Sequence, residues 1–126
     1  MNRPVHFEIH ASDPATLVAF YEGVFGWKVQ HLPQMNYWLV DTGEGLGING
    51  GIMKRMGAPP AEMQSVNAFV CSLGVDSVDG SLGKALAAGA TVALPKMTIP
   101  GVGYQVYIRD PDGNILGLHQ ADKDAK

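Results

Sequence analysis

The sequence predicts an α+β fold of two tandem βαβββ modules, which form a curved mixed sheet around a cleft and carry one helix each. Three observations lead to this prediction. Strand-like and helix-like stretches follow the same order in both halves of the chain. A capping residue precedes each helix-like stretch, and a glycine follows it. Matched features of the two halves also lie a constant 63 residues apart, as expected for an internal repeat.

The first strand has one polar and one apolar face. Apolar Phe7 and Ile9 alternate with polar His6, Glu8 and His10. Side chains of a strand point to opposite faces with a period of two. We therefore expect the three polar residues to lie on one side of the sheet.

The first helix is expected over about residues 14–24. Asp13 offers a cap and Pro14 suits the first helical turn, while Gly26 marks the end. Apolar residues between them recur at the spacing of a helical stripe. Further strands are expected to start near Trp27 and to cover residues 37–40 and 48–53.

The second half repeats this order. A strand is expected at residues 67–71, a helix at 77–88 after the caps Asp76 and Ser77, and strands from 91, at 104–108 and at 115–119. Asp13 and Asp76 are offset by 63 residues, as are Gly26 and Gly89. The offset rises to 67 between Gly50 and Gly117 because a loop of the second half is longer.

Length and charge limit the possibilities. The 126 residues suit a single domain, with modules at about 1–55 and 65–122 and a linker at 56–64 that contains two prolines. A net charge of -3 argues against nucleic acid as a partner, and no apolar stretch is long enough for a membrane span. The single Cys71 lies in an apolar run, so we expect it to be buried, in a cytoplasmic protein.

The ordered motifs resemble a known superfamily. Residues 5–9, the pair Asp13-Pro14 and the stretch 20–27 resemble the opening module of the glyoxalase/bleomycin-resistance/dioxygenase (vicinal oxygen chelate) superfamily. Residues 110–114, followed by an apolar strand, resemble its closing hairpin. The likeness covers residues 4–120 and is closest to lactoylglutathione-lyase-related members with one domain.

The resemblance also implies where metal ligands would lie. In metal-dependent members, the first and last strands of each module each supply one ligand. His6 is the only match to such a position, since the others correspond to Gly50, Phe69 and Gly117. A catalytic divalent metal usually needs about three protein ligands. We therefore expect no cofactor and no standard metal site, with a divalent metal held by an altered ligand set as the alternative.

Without metal, the cavity is expected to hold a small organic molecule. The candidate ligand-binding residues are His6, Glu8, Trp38, Tyr107 and His119, with His6 and Glu8 also as candidate catalytic residues. The cavity is expected to be open where Gly50 and Gly117 lack side chains. Tyr107 faces it only if the hairpin carries a bulge at Gly113, and otherwise Val106 does.

Three functions stay open at this point. The first is metal-free binding of, or catalysis on, a small molecule. The second is a metal-dependent lyase, isomerase or dioxygenase, and the third is a protein-interaction module with a vestigial cavity. A homodimer is expected, because Trp27, Trp38 and the methionine-rich linker offer apolar surface.

Overall fold

A computed structural model of the chain describes residues 2–126, so residue 1, where the predicted first module begins, lies outside the described residues. The chain divides into two compact units, one ending at Pro59 and the other starting at Pro60. This boundary falls inside the predicted linker. Neither helix of residues 2–126 has the length and apolar character that a membrane span requires.

The first unit is a βαβββ module with a mixed sheet. Its first strand pairs in parallel with its last, and the remaining pairs are antiparallel, giving the order β1-β4-β3-β2. The elements are β1 (His6–Ala11), α1 (Pro14–Phe25), β2 (Lys28–Leu32), a 3-10 turn (Pro33–Met35), β3 (Tyr37–Asp41) and β4 (Asn49–Lys54).

The second unit has the same arrangement, with the order β5-β8-β7-β6 and β5 parallel to β8. Its elements are β5 (Ser72–Gly74), α2 (Val78–Ala87), β6 (Thr91–Ile99), β7 (Gly103–Arg109) and β8 (Ile115–Ala121). The predicted α+β class, with one helix per βαβββ module, is confirmed.

Both helices begin where the capping residues predict. Asp13 precedes α1, with Pro14 in the first turn, and Gly26 ends the helix in the left-handed conformation at φ 71°. The Ser77 hydroxyl accepts a hydrogen bond from the Gly80 N–H at 3.0 Å and so caps α2. The two N-caps, Asp13 and Ser77, are therefore 64 residues apart.

Each helix covers the apolar face of its own sheet. In the first unit, Leu17 and Tyr21 of α1 are buried, and the Tyr21 ring stacks on Trp27 with centroids 4.8 Å apart. In the second, Val78 of α2 is buried, as is Leu118 of β8. Apolar burial of this kind contributes about 25 cal/mol per Å² and fixes which sheet face the helix occupies. The other face of each sheet is left to the polar side chains.

The predicted strand at residues 67–71 is wrong, since β5 covers only Ser72–Gly74. The parallel register pairs Ser72 with Gly117, and β8 begins at Ile115. Residues before about 70 would therefore run past the start of β8 and find no backbone partner. For the same reason Phe69 is 98% exposed, and Cys71 is exposed rather than buried.

Candidate functional site

Strand register places His6 and Glu8 on the polar face of the first sheet. In the parallel pair of β1 and β4, His6 lies beside Asn49 and Glu8 lies beside Gly51. Gly51 in turn lies opposite Leu39 of β3. Because neighbours across a ladder point to the same side, these five residues share one face.

Tyr37 at the start of β3 joins the two predicted residues. Its hydroxyl lies 2.8 Å from Nε2 of His6 and donates to Oε2 of Glu8 at 3.2 Å. The other carboxylate oxygen of Glu8 lies 3.2 Å from Nε2 of His10. His6, Tyr37, Glu8 and His10 thus form one connected polar network, in which His6 and Glu8 are exposed and Tyr37 is half-buried.

The Tyr37 phenol keeps its proton in this network. Burial, together with the charge of Glu8 and the hydrogen bond to it, raises the pKa of Tyr37 above its ordinary 10.0. A phenol has one proton, and the carboxylate of Glu8 can only accept. In the neutral form of His6, the Tyr37 oxygen then accepts from Nε2–H, which leaves Nδ1 with a lone pair.

An open groove of about 400 Å³ lies beside His6. Most of its wall comes from the polar sheet face, with charged groups of both signs and an apolar patch. Nδ1 of His6 makes no hydrogen bond within residues 2–126, so this nitrogen is available to another molecule. The lining residues are His6, Lys28, Val29, Gln30, Leu39, Val40, Asp41, Asn49 and Gly50.

The glycines of β4 do not leave the space that the sequence predicts. Gly50 lies beside Phe7 on the helix side of the sheet, and a Cβ there would overlap the Phe7 ring and carbonyl oxygen. Its neighbour Gly51 is the glycine of the polar face, and the Tyr37 ring lies directly over it. Gly50 does line the groove, but its missing side chain does not create that opening, because a Cβ there would point to the helix side.

Trp38 does not join His6 and Glu8. It pairs with His31 on β2 and with Ile52 on β4, and Ile52 is fully buried on the helix side. Its ring stacks on the His31 imidazole with centroids 4.2 Å apart. As the neighbour of Tyr37 in the strand, Trp38 must point to the opposite face.

Tyr107 and His119 share the polar face of the second sheet. Tyr107 lies opposite Gly117, and His119 lies opposite Gln105. The hairpin has the bulged form: the Asp110 N–H donates to the Asn114 carbonyl oxygen at 2.8 Å, and Gly113 has φ 86°. Of the two parities that the sequence leaves open, the structure therefore has Tyr107, not Val106, on this face.

Gln105 links two side chains of this face. Its Nε2 donates to the Ser72 hydroxyl at 2.8 Å, and its Oε1 lies 2.9 Å from Nδ1 of His119. Gln105 is 5% exposed. A Cβ at Gly117 would overlap both Ser72 and Gln105, so the expected opening at Gly117 is also wrong.

The donor sets of these faces do not fit a metal centre of the kind that the resemblance implies. In the described part of the chain, no group of three or more His, Cys, Asp or Glu residues lies close enough to hold a metal ion. On the last strand of each module, the polar-face residue beside Glu8 and the one beside Ser72 are both glycines, Gly51 and Gly117.

Sequence reasoning missed Tyr37, Ser72 and Gln105. Each belongs to a strand whose polar face could be assigned only after its pairing was known. The available signal was the alternation in residues 103–109, where polar Gln105 interrupts an otherwise apolar strand. A buried amide at such a position needs hydrogen-bond partners.

Comparisons with known proteins agree with this fold. A crystal structure of a glyoxalase/bleomycin resistance protein/dioxygenase family enzyme from Burkholderia phytofirmans PsJN is 22% identical, with a TM-score of 0.72 over 93% of this chain and 97% of that one. A mutant of the fosfomycin resistance protein FosX from Listeria monocytogenes, complexed with Mn(II) and a dihydroxypropylphosphonic acid, is 19% identical, with a TM-score of 0.72 over 94% and 90%.

A sequence relative and a family model indicate the family of the chain. The candidate glyoxylase CFP32 of Mycobacterium tuberculosis is 27% identical over 95% of this chain and 46% of its own length. The chain thus spans about half the length of the curated relatives it matches. The model of the glyoxalase-like domain matches residues 6–118. Because this match covers most of the sequence, the chain belongs to the glyoxalase-like domain family.

Proposed function

We propose that this chain binds a small organic molecule at the groove on the polar face of its first module, by hydrogen bonding and without a metal. His6 lines the groove and is the ligand-facing group there, and Tyr37 joins it to Glu8, the second candidate on the same sheet face. On the second module, Tyr107 and His119 present a further polar face to a ligand. Trp38, which lies on the opposite side of its sheet, has no part in this proposal.

The observation that carries the proposal is the state of the His6 ring beside the groove. Tyr37 engages one ring nitrogen at 2.8 Å, while the other nitrogen has no hydrogen-bond partner among residues 2–126. A ring held at one nitrogen loses little further freedom when a ligand engages the other. His6 is therefore suited to accept a hydrogen bond from a ligand, or to take a proton from it.

The groove supports a ligand of mixed polarity. Asn49 lies beside His6 in the ladder of β1 and β4, and Lys28 lies opposite Asp41 in the ladder of β2 and β3. Leu39 adds an apolar contact between them. Pockets for small molecules combine apolar walls with a few polar groups that orient the ligand. Carbonyl compounds and aromatic drugs of small size match this description.

Thermal-shift screening of small carbonyl compounds and aromatic drugs tests the proposal. A ligand at a hundred times its Kd stabilises the native state by about 2.7 kcal/mol, which is a readily measured rise in Tm. The rise should be lost in His6→Ala at the same ligand concentration. His31→Ala is the matched control, because His31 lies on the other face of the same sheet.

Two results would contradict the proposal. Equal stabilisation of wild type, His6→Ala and Glu8→Ala by every ligand found would remove these residues from the site. Elemental analysis of protein purified without chelator is the second check, since a stoichiometric transition metal would favour the metal-dependent alternative. Unliganded stability of each variant is measured in parallel, so that a general loss of folding is not taken for loss of binding.

A second copy of the chain is the partner we propose. Phe69, Met56 and Met63 are 98%, 90% and 87% exposed in a single copy. Covering such side chains gains about 1.5–3 kcal/mol each. Light scattering should give a dimer mass, and Phe69→Ser should weaken the dimer while Leu46→Ser, at an exposed loop position of the first module, should not. A monomer mass for wild type would contradict the proposal.

With one cysteine in the sequence, we propose the cytoplasm as the location of the protein.

A further inference from the structure

The second module contains a buried amide in direct contact with a predicted ligand-facing histidine. Gln105 lies opposite His119 in the ladder of β7 and β8, and its side chain is nearly inaccessible. It contacts His119 through Oε1 and Ser72 through Nε2, at 2.9 and 2.8 Å. Both ends of the amide are thus occupied inside the module.

Gly117 allows this arrangement. It lies beside Ser72 on β5 and opposite Tyr107 on β7, so its Cα is in the middle of the polar face. Any Cβ at this position would overlap the Ser72 hydroxyl and the Gln105 amide nitrogen. The missing side chain lets Gln105 lie across the strand, where its Nε2 donates to the Ser72 hydroxyl oxygen.

With its Nε2 on Ser72, the amide presents its oxygen to His119 and so sets the protonation of the neutral imidazole. An amide oxygen can only accept a hydrogen bond, so the Nδ1 of His119 that faces it must carry the hydrogen. Nε2 of His119 then has a lone pair. Among residues 2–126, no side chain forms a hydrogen bond with Nε2 of His119, and the His119 side chain is half-buried.

We infer that Gln105 is a positioning residue, which fixes His119 as the Nδ1–H tautomer and makes its Nε2 a hydrogen-bond and proton acceptor on the polar face of the second module. The group recognised there is a donor, such as a hydroxyl or an N–H of a ligand. Only this use of Nε2 rests on the proposed function. The tautomer is a property of the ligand-free protein.

Long-range proton–nitrogen NMR of the histidine rings in ligand-free protein tests the inference. The sequence contains four histidines, and His119→Asn assigns the relevant signals. At a pH where the ring is neutral, wild type should show Nδ1 protonated and Nε2 unprotonated. Gln105→Leu removes the acceptor, so the Nδ1–H form should lose its dominance. Gln105→Glu keeps an acceptor and should preserve that form.

Gln34→Leu is the matched control, because Gln34 is an exposed glutamine of the first module outside the groove and should leave the His119 spectrum unchanged. A wild-type ring protonated at Nε2 would overturn the inference, since it would mean that the amide is reversed and donates to Nδ1. An unchanged tautomer in folded Gln105→Leu would also overturn it. If that variant does not fold, the wild-type and Gln105→Glu spectra decide. Failure of the ligand screen would leave these spectra unaffected, so the two proposals fail separately.

Discussion

The polar faces of the two modules share one arrangement of a glycine under a polar side chain, but the polar groups differ in chemistry. In each, a glycine of the last strand lies under a long polar side chain of the neighbouring strand, Gly51 under Tyr37 and Gly117 under Gln105. That side chain bonds a residue of the first strand, Glu8 in one module and Ser72 in the other. The bridging group of the first module, Tyr37, is half-buried and ionisable. The bridging group of the second module, the Gln105 amide, is buried and neutral.

The two modules also differ in the imidazole nitrogen that each bridging side chain contacts. Tyr37 holds His6 at Nε2 and leaves Nδ1 free, while Gln105 holds His119 at Nδ1 and leaves Nε2 free. A phenol beside a carboxylate responds to pH, but an amide does not titrate. The first face is therefore expected to be adaptable and the second to be rigid.

The largest expected effect distinguishes the two glycines. Gly117→Ala forces Ser72 and the buried Gln105 side chain apart, and we expect a loss of about 2–3 kcal/mol in the free energy of unfolding. Gly51→Ala meets the end of the half-buried Tyr37 side chain, which can turn toward solvent, so the loss should be about 1 kcal/mol. Urea denaturation measures both. A larger loss for Gly51→Ala would contradict the contrast between a rigid and an adaptable face.

Removal of the bridging side chain group should also cost more stability in the second module than in the first. Gln105→Ala removes a buried amide and both of its hydrogen bonds, to Ser72 and to His119, at a cost of about 1–2 kcal/mol. Tyr37→Phe keeps the ring and removes one half-exposed hydroxyl, so we expect about 0.5–1 kcal/mol. If thermal or urea unfolding gives equal losses for the two variants, the burial of Gln105 makes no difference to stability, which contradicts this prediction.

The smallest effect is a pH dependence confined to the first module. The folded pKa of Tyr37 lies above its ordinary 10.0, so its contribution to stability is complete below pH 10 and is lost as pH rises through the folded pKa. The stability difference between wild type and Tyr37→Phe should therefore shrink above pH 10. Absorbance titration of the tyrosines, with Tyr37→Phe as reference, should show Tyr37 ionising late.

Gln105→Ala provides the comparison for this titration. Since an amide does not ionise, the stability difference between wild type and Gln105→Ala should stay constant from about pH 9 to about pH 11. A constant difference for Tyr37→Phe over the same range would contradict the network that joins its hydroxyl to Glu8 and His6.

Local patterns predicted the helices well and the strand edges less well. The predicted ranges 14–24 and 77–88 agree with Pro14–Phe25 and Val78–Ala87, because caps, glycine stops and the apolar stripe are short-range signals. The strand predicted at 67–71 failed because its existence depends on a partner, and β8 begins too late to supply one.

The sequence by itself determined that His6 and Glu8 share a polar face, since residues two apart on a strand must point the same way. Only the tertiary structure decided which residues of other strands join them. A shift of one residue in register exchanges the two faces of a strand, so it replaced Gly50 by Gly51 and Trp38 by Tyr37. The bulge at Gly113 likewise put Tyr107 beside Gly117. Periodicity within a strand is fixed by covalent geometry, but register is fixed by pairing and by the apolar core that the helices cover.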